Sequence, residues 1–265
     1  MNGTVYLVGA GPGAADLLTL RAARLLGQAD IVFHDALVSE EILGFCSKAI
    51  RVEVGKRSGR LSTAQKFINK RLVDAARIHE VVVRLKGGDP MLFGRAHEEI
   101  SYLRSKGVPV EVVPGVTAAL AAAAELNVSL TRRGLSRSVA FLTTRSAPGE
   151  PANDWVRTAL AADTVAIYMG AGEAQAIARD LIAAGKPRAT PVAVIENASL
   201  PDSKVRSGTL EALPAIARPG SPSLILLGEV FADAAIIRAW QAAQSSFSPT
   251  APVIPIGRGR SSNSR

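Results

Sequence analysis

The sequence predicts an α/β protein made of two lobes with a cleft between them. Short runs rich in β-branched residues alternate with longer stretches of helical periodicity along most of the chain. A Pro-Gly pair within VVPGVTA (112–118) interrupts this alternation near the middle and predicts a hinge. Of the 265 residues, 48% are apolar and 20% charged, so the chain can bury a sizeable core. This composition excludes the disordered and the disulfide-stapled classes.

The first half contains five predicted strands, for which we expect largely parallel pairing. They are TVYLVG (4–9), DIVFHD (30–35), AIRVEV (49–54), VVVRLKG (81–87) and VPVEVV (108–113). Helical patterns separate them near 15–27, 39–47, 62–78 and 95–106. The clearest helix is 62–78, in which a 3.6-residue period links Phe67, Ile68, Leu72 and Val73.

An Ala-rich helix (117–126) opens the second half and is followed by four further predicted strands. They are SVAFLTT (138–144), TVAIYMG (164–170), PVAVIENA (191–198) and SLILLGEV (223–230). Helical patterns near 152–162, 172–185 and 231–242 lie between or after them. We therefore divide the chain into an N-terminal lobe (1–114), a C-terminal lobe (115–242) and a tail (243–265). The tail is rich in Ser, Pro and Gly and is predicted to be disordered.

The net charge is +8, from 31 basic and 23 acidic residues, and it favours an anionic partner. Three basic residues of the tail (Arg258, Arg260 and Arg265) contribute to it. Nucleic acid is disfavoured because only 5% of residues are aromatic and the basic residues are dispersed. The single cysteine, Cys46, indicates a reducing compartment. Without a signal-like N-terminus or an apolar run of membrane-spanning length, we expect a cytoplasmic protein that contacts no membrane.

A glycine-rich loop, Gly9-Ala10-Gly11-Pro12-Gly13, follows the first strand and precedes a helix. Such a loop lets backbone approach a ligand closely, and it resembles a dinucleotide fingerprint with Asp35 as a ribose acceptor. Pro12 argues against this interpretation, because it removes an N–H from the loop that would hold the pyrophosphate. A nicotinamide oxidoreductase and a purely structural turn therefore both remain as alternatives.

Two further loops leave predicted strands at the same edge of the sheet. Lys86-Gly87-Gly88-Asp89-Pro90 follows the fourth strand, and the hinge with Thr117 follows the fifth. Each could be a simple connection, and Thr117 could be a helix N-cap. Because open α/β sheets place ligands at the carboxyl ends of their strands, three such loops together predict a binding cleft.

Few residues of the sequence suit proton transfer. The candidates are Asp35 and Lys56, although Asp35 could instead cap the following helix and Lys56 could be a surface residue. The three histidines and Cys46 lack metal-ligand spacing, so no metal site is predicted. A G-x-S-x-G nucleophile motif is also absent.

The motifs GAGPG, HDALVS, VGKRSG, LKGGDPMLFGR and VPGVTA, in this order and spacing, resemble those of the tetrapyrrole methylases. The similarity covers roughly residues 4–240 and continues through YMG (168–170), ENA (196–198) and SPSLILLGEV (221–230). Within the family, HDALVS with VGKRSG is most similar to the branch that acts on uroporphyrinogen III. The resemblance implies a two-lobed fold distinct from a dinucleotide-binding domain, with a largely parallel N-terminal sheet, a mixed C-terminal sheet and a homodimeric assembly.

The resemblance also implies S-adenosylmethionine as the methyl donor, bound between the lobes, and no metal. The residues that match cofactor-binding positions of the family are Pro12, Gly87, Gly88, Asp89, Leu92, Thr117, Ala118, Met169 and Ala198. By the same match, Asp35 is the implied proton acceptor and Lys56 the implied proton donor. Arg95 matches an arginine placed near the substrate.

The implied reaction methylates carbons 2 and 7 of uroporphyrinogen III and gives precorrin-2, the branch compound toward siroheme and cobalamin. A substrate with eight carboxylates would suit the positive charge, and our candidates for these contacts are Arg57, Arg95, Arg132, Arg133 and Arg137. The chain departs from the usual family pattern at Arg132, Arg145, Ser199 and in FGRAHEE (93–99). We expect these departures to affect the tetrapyrrole rather than the cofactor, so a different corrin or haem-pathway tetrapyrrole is the alternative substrate. A catalytically inactive relative is disfavoured because the matching residues are retained together.

Overall fold

The computed structural model describes residues 2–54, 61–146, 149 and 153–233, with only the backbone described for 61–64. Its strands are Thr4–Gly9 (β1), Ile31–His34 (β2), Ile50–Glu53 (β3), Val81–Lys86 (β4), Val110–Val113 (β5), Val139–Thr143 (β6), Thr164–Tyr168 (β7), Pro191–Glu196 (β8), Lys204–Thr209 (β9) and Ser223–Leu227 (β10). Its α-helices are Leu20–Gln28 (α1), Glu40–Leu43 (α2), Leu61–Ala76 (α3), Ala96–Ser105 (α4), Ala118–Glu125 (α5), Trp155–Ala161 (α6), Ala174–Ala183 (α7) and Leu213–Ile216 (α8).

The first five strands form one sheet in the order β3-β2-β4-β1-β5, and all of its pairs are parallel. The strands are short and mostly apolar because both faces are covered. Val8, Val83 and Leu85 pack with Leu26 of α1 on one face, whereas Val5 and Leu7 pack with helices α3 and α4 on the other. The loops that follow β4, β1 and β5 are therefore neighbours at one edge of the sheet.

The remaining strands form a second sheet in the order β6-β7-β10-β8-β9. It is mixed, because β6 and β7 are parallel whereas β10 is antiparallel to β7 and β8, and β9 is antiparallel to β8. The α/β class, the parallel first sheet and the mixed second sheet are thus confirmed. Helices α6 and α7 cover one face of this sheet and α5 the other.

Several predicted details differ from the structure. Strand β9 and the short helix α8 were not predicted, since Lys204–Thr209 alternates polar and small residues at a sheet edge. Phe67 does not belong to the buried face of α3, because it is 60% exposed whereas Ile68, Leu72 and Val73 are buried. Asp35 does not cap α2, whose N-cap is Ser39. The predicted tail and the helix near 231–242 lie almost wholly outside the described residues, and the lobe boundaries stay a prediction.

Candidate active site

A cavity of about 530 Å³ lies between the two sheets. Its walls come from the loops after β1, β4 and β5 on one side and from the loops after β7, β8 and α8 on the other. The lining residues include Gly11, Pro12, Leu37, Gly87, Gly88, Asp89, Leu92, Phe93, Thr117, Ala118, Arg145, Tyr168, Met169, Gly172, Ala198 and Leu200. The volume lies in the range typical of small-molecule sites, so the cavity is a candidate ligand site.

Four glycines hold the first-sheet loops together. Gly11 and Gly88 exchange two backbone hydrogen bonds, with N–O distances of 3.2 and 2.7 Å. A Cβ atom on Gly115 would lie 2.3 Å from the carbonyl oxygen of Gly88 and 2.9 Å from the Cα of Gly9. Only residues without a side chain permit this approach, which brings the three loops to one point.

Asp89 ties the second loop to the third. Its Oδ2 accepts a hydrogen bond from the backbone N–H of Gly115 (2.9 Å), and its Oδ1 accepts one from that of Met91 (2.8 Å). The carboxylate therefore fixes both its own turn and the hinge after β5. This contact explains why an aspartate is needed between Gly88 and Pro90.

Tyr168 joins the hinge to the second sheet. Its hydroxyl lies 2.7 Å from the Thr117 hydroxyl and accepts a hydrogen bond from the backbone N–H of Ala119 at 3.2 Å. Thr117 is at the N-cap position of α5, but its side chain accepts no hydrogen bond from the helix. The Tyr168 hydroxyl instead accepts the bond from the Ala119 N–H in the first turn of α5. Burial raises the pKa of Tyr168 above its ordinary value, so this phenol stays protonated at neutral pH. Phe93 also packs against the Tyr168 ring, with the ring centroids 5.2 Å apart.

The loop after β8 closes the cavity against the loop after β1. The Ser199 hydroxyl accepts a hydrogen bond from the Ala14 N–H at 3.1 Å, and the Ser199 N–H donates to the Glu125 carboxylate at 2.9 Å. A Cβ on Gly13 would clash with Leu200 at 2.8 Å. Ser199, one of the departures from the family pattern, is therefore a contact between the two halves of the chain.

Backbone strain is concentrated around this cavity. Among the described residues, six other than glycine have a positive φ. Five of them lie on the loops at the cavity: Phe93, Arg95, Met169, Asn197 and Ser199. Left-handed backbone is unfavourable for residues with a side chain, and in folded proteins it clusters at functional sites. The strain thus marks the same place as the cavity does.

The structure brings together all nine residues that were predicted to bind the cofactor. Pro12, Gly87, Gly88, Asp89, Leu92, Thr117, Ala118, Met169 and Ala198 all line the one cavity. Their roles in binding stay predictions, since shared location does not by itself identify a ligand.

Two of the three predicted catalytic residues, Asp35 and Arg95, lie in the described part of the chain and do not line the cavity. Asp35 directly follows β2 and lies two residues before the lining residue Leu37, and Arg95 lies two residues after the lining residue Phe93. Lys56, like Arg57, lies outside the described residues. Of the other arginines predicted to hold carboxylates, Arg132, Arg133 and Arg137 are exposed and do not contribute to the lining.

Arg95 and Asp35 each make strong ion pairs. Two nitrogens of the Arg95 guanidinium donate to the two carboxylate oxygens of Glu98, at 2.6 and 2.7 Å. This pairing raises the pKa of Arg95 and lowers that of Glu98, so both stay charged at neutral pH. Asp35 accepts a 2.5 Å hydrogen bond from Arg84, a buried residue of β4. Arg84 was not predicted as a site residue, although a cation inside a mostly apolar strand signals a buried partner.

Other residues of the cavity wall were not predicted as site residues, and Leu37, Tyr168 and Arg145 are three of them. Leu37 and Tyr168 lie inside recognised motifs, HDALVS and YMG, so their proximity to the site could have been inferred. Arg145 was noted only as a departure, yet it lines the cavity and lies 3.8 Å from Glu173. In the described part of the chain, no three metal-ligating side chains form a cluster. The described helices also include none that is long and apolar enough to cross a bilayer.

The family model of the tetrapyrrole (corrin/porphyrin) methylases matches residues 4–214, which is most of the chain. The chain belongs to the tetrapyrrole methylase family. Membership in this family favours the methyltransferase interpretation over the nicotinamide alternative.

Individual relatives agree with the family. Siroheme synthase 1 of Cronobacter sakazakii is 45% identical over 231 residues, covering 86% of this chain and 49% of the relative. This chain thus spans about half the length of the curated relatives it matches. A crystal structure of uroporphyrin-III C-methyltransferase from Thermus thermophilus with S-adenosylhomocysteine has a TM-score of 0.76 and 42% identity, covering 86% of this chain and 98% of that one. A structure of a cobalt precorrin-4 methyltransferase gives a TM-score of 0.73 at 28% identity, with coverages of 86% and 95%.

Proposed function

We propose that the protein transfers two methyl groups from S-adenosylmethionine to carbons 2 and 7 of uroporphyrinogen III and so forms precorrin-2. The observation that carries the proposal is that all nine motif residues line the same cavity. Support for the substrate comes from the Thermus thermophilus uroporphyrin-III C-methyltransferase, because the match with this chain is 42% identical and covers 98% of that enzyme's chain. The relatives named siroheme synthase support a place in siroheme formation.

The cavity suits a ligand of the size of the methyl donor. A Cβ atom on Gly88 or on Gly172 would meet no atom within 4 Å, so the space beside both lining glycines is open to a ligand. Backbone groups of the glycine loops can bind the polar parts of such a ligand, while Leu92, Met169 and Ala198 can contact its apolar parts. The nine residues would then hold the donor, which supplies a methyl group activated by its positive sulfur.

The protein's main task in this reaction is to align the reacting partners. Alignment of two bound partners can supply up to roughly 7–11 kcal/mol of rate enhancement. The interlocked glycines and the Asp89 contacts fix one wall of the cavity before any ligand binds. Tyr168 and Ser199 attach the second wall to the first, which sets the width of the cleft.

Proton transfer is assigned to Asp35, which lies two residues before the lining residue Leu37, and to Lys56. In this proposal Asp35 accepts the proton that the methylated ring releases, a role typically worth about 10²–10⁴-fold in rate. Its side chain is 31% exposed, so a substrate at the rim can reach it. Arg95, fixed by Glu98, would hold a substrate carboxylate, and Lys56 would donate a proton.

Anaerobic incubation with uroporphyrinogen III and S-adenosylmethionine tests the proposal. We expect mass spectrometry of the oxidised products to show a gain of two methyl groups. A gain of one would contradict the second methylation. No gain, with S-adenosylhomocysteine still bound, would overturn the substrate and favour another tetrapyrrole.

We also propose that the protein is a homodimer. Support comes from a shallow apolar groove beside α5, to which the exposed Leu120 and Phe141 contribute. Size-exclusion chromatography with light scattering should give twice the 27.7 kDa mass of one chain. A mass of one chain at micromolar concentration would refute the dimer.

A further inference from the structure

Two cations are buried in β4, the central strand of the first sheet. Arg84 and Lys86 are 3% and 5% exposed, and neither lines the cavity. They lie two residues apart and point to the same face as Val82, toward helices α3 and α4. Removing two like charges from water is unfavourable unless an anion lies within reach. The strand therefore requires a buried acidic partner.

Glu99 of α4 is this partner, and it is fully buried. Its Oε1 accepts hydrogen bonds from Arg84 Nε at 3.2 Å and from Lys86 Nζ at 3.1 Å, and its Oε2 accepts from Lys86 Nζ at 3.2 Å. Gln65 of α3 donates to the same Oε1 at 3.0 Å, and also to Asn69. Burial and the neighbouring Arg84 lower the pKa of Lys86, while Glu99 and Asp35 partly offset this effect.

Arg84 extends from this buried carboxylate to Asp35 at the rim of the cavity. Its Nη2 donates to Asp35 Oδ1 at 2.5 Å, while its Nη1 donates to the carbonyls of Phe33 and Leu85 at 3.4 and 3.1 Å. The guanidinium is planar and rigid, so a contact at Nε fixes the direction of Nη2. Glu99 thereby determines where Arg84 holds the Asp35 carboxylate.

We infer that Glu99 is a positioning residue for Asp35 and that it acts through Arg84. The inference rests on the proposed function, in which Asp35 accepts the proton. Neutral glutamine at position 99 would weaken the bond to Arg84 Nε and leave two buried cations with less compensation. The guanidinium would then be free to turn toward other acceptors, and Asp35 would lose its fixed orientation toward the substrate.

A double-mutant cycle on the full-length protein tests this coupling. The variants are Glu99→Gln, Asp35→Asn and the combination, and a radiolabelled-methyl assay resolves slow turnover on uroporphyrinogen III. We expect Glu99→Gln to lower kcat by about tenfold or more while KM for the tetrapyrrole and the affinity for S-adenosylhomocysteine change less than about threefold. With Asp35→Asn already present, Glu99→Gln should cause no further loss of kcat, because the group it positions is gone.

Two further variants separate positioning from stability. Arg84→Lys keeps a cation but cannot span Glu99 and Asp35 at once, so it should show the same loss of kcat and the same non-additivity. Asn69→Leu disturbs the same polar cluster through Gln65 without touching Arg84, and it should change stability but not kcat. These variants keep the test decisive if Glu99→Gln folds poorly.

The outcomes distinguish this inference from the proposed function. Additive losses in the cycle or a loss confined to KM would overturn the positioning role alone. Full activity of Asp35→Asn would overturn both the positioning role and the assignment of Asp35 as proton acceptor, while the methyl-transfer activity itself would stand. A wild-type protein that binds S-adenosylhomocysteine but methylates no uroporphyrinogen III would overturn the proposed function, and the inference with it.

Discussion

Replacement of Asp89 by alanine should loosen the wall of the cavity without unfolding the protein. The change removes two acceptors at once, namely the oxygens that bind the N–H groups of Gly115 and Met91. Met91 is largely exposed, so water can replace its lost partner. Gly115 is only partly exposed and packs against Gly88 and Gly9, so its N–H has fewer alternatives.

The Gly115 bond therefore dominates the expected effect. A hydrogen bond to a charged group contributes about 1.5–3 kcal/mol, which corresponds to about 10- to 150-fold in an equilibrium constant. Because the glycines beside this bond line the cavity, we expect the dissociation constant of S-adenosylhomocysteine to rise by at least about tenfold. Asp89→Asn keeps one acceptor oxygen and should have an intermediate effect.

Isothermal titration calorimetry with S-adenosylhomocysteine measures this change directly. The matched control is Asp74→Ala, which removes a carboxylate from the exposed face of α3, where its partners are Lys70 and Arg77. Circular dichroism should show the same secondary structure in all three variants. An Asp89→Ala protein that is folded and binds with wild-type affinity would refute the reasoning.

Three further predictions concern the close packing of Gly115, the hydrogen bonds at the hinge, and the dependence of stability on pH in the acid range. Gly115→Ala should destabilise the protein by about 1–3 kcal/mol or more in urea denaturation, because its Cβ would lie 2.3 Å from the oxygen of Gly88. Tyr168→Phe should lower the free energy of unfolding by about 1–3 kcal/mol, since it leaves buried groups at the hinge without a partner. Glu98→Gln should be less stable than wild type at neutral pH but equal to it in acid. The Arg95 guanidinium lowers the pKa of Glu98 from its ordinary 4.5, so its contribution is present above pH 4.5 and is lost as pH falls through the lowered value.

Each of these three substitutions has a matched control variant. Gly172→Ala places its Cβ in open space at the cavity wall and should change stability by less than about 0.5 kcal/mol, so a large loss there would contradict the packing argument. Tyr102→Phe removes a phenol away from the hinge, and an equal loss from both tyrosines would contradict the Tyr168 role. Glu111→Gln removes an exposed carboxylate from β5, and a pH profile like that of Glu98→Gln would refute the Arg95 pairing.

Much of the fold could be predicted because its signals are local. The apolar runs that became β1, β4 and β7 are covered on both faces, and such strands are visible in sequence as continuous β-branched stretches. Strand β9 has no such run, since it lies at a sheet edge and pairs only with β8. The exposure of Phe67 could not be predicted from the sequence either. A 3.6-residue period shows that a helix has an apolar face, but it does not show which residues at the border of that face are buried.

The order and spacing of the loop motifs by themselves determined the family and the nine residues that surround the cavity. These motifs can be recognised in the sequence because the loops at the strand ends need backbone conformations that glycine, proline and aspartate adopt and few other residues do. The tertiary structure alone decided which partners these residues have: Asp89 with Gly115, Thr117 with Tyr168, and Asp35 with Arg84. Such pairs are between 26 and 51 residues apart in the chain. A contact of this kind depends on how strands and helices pack in space, and no local pattern of a single sequence records it.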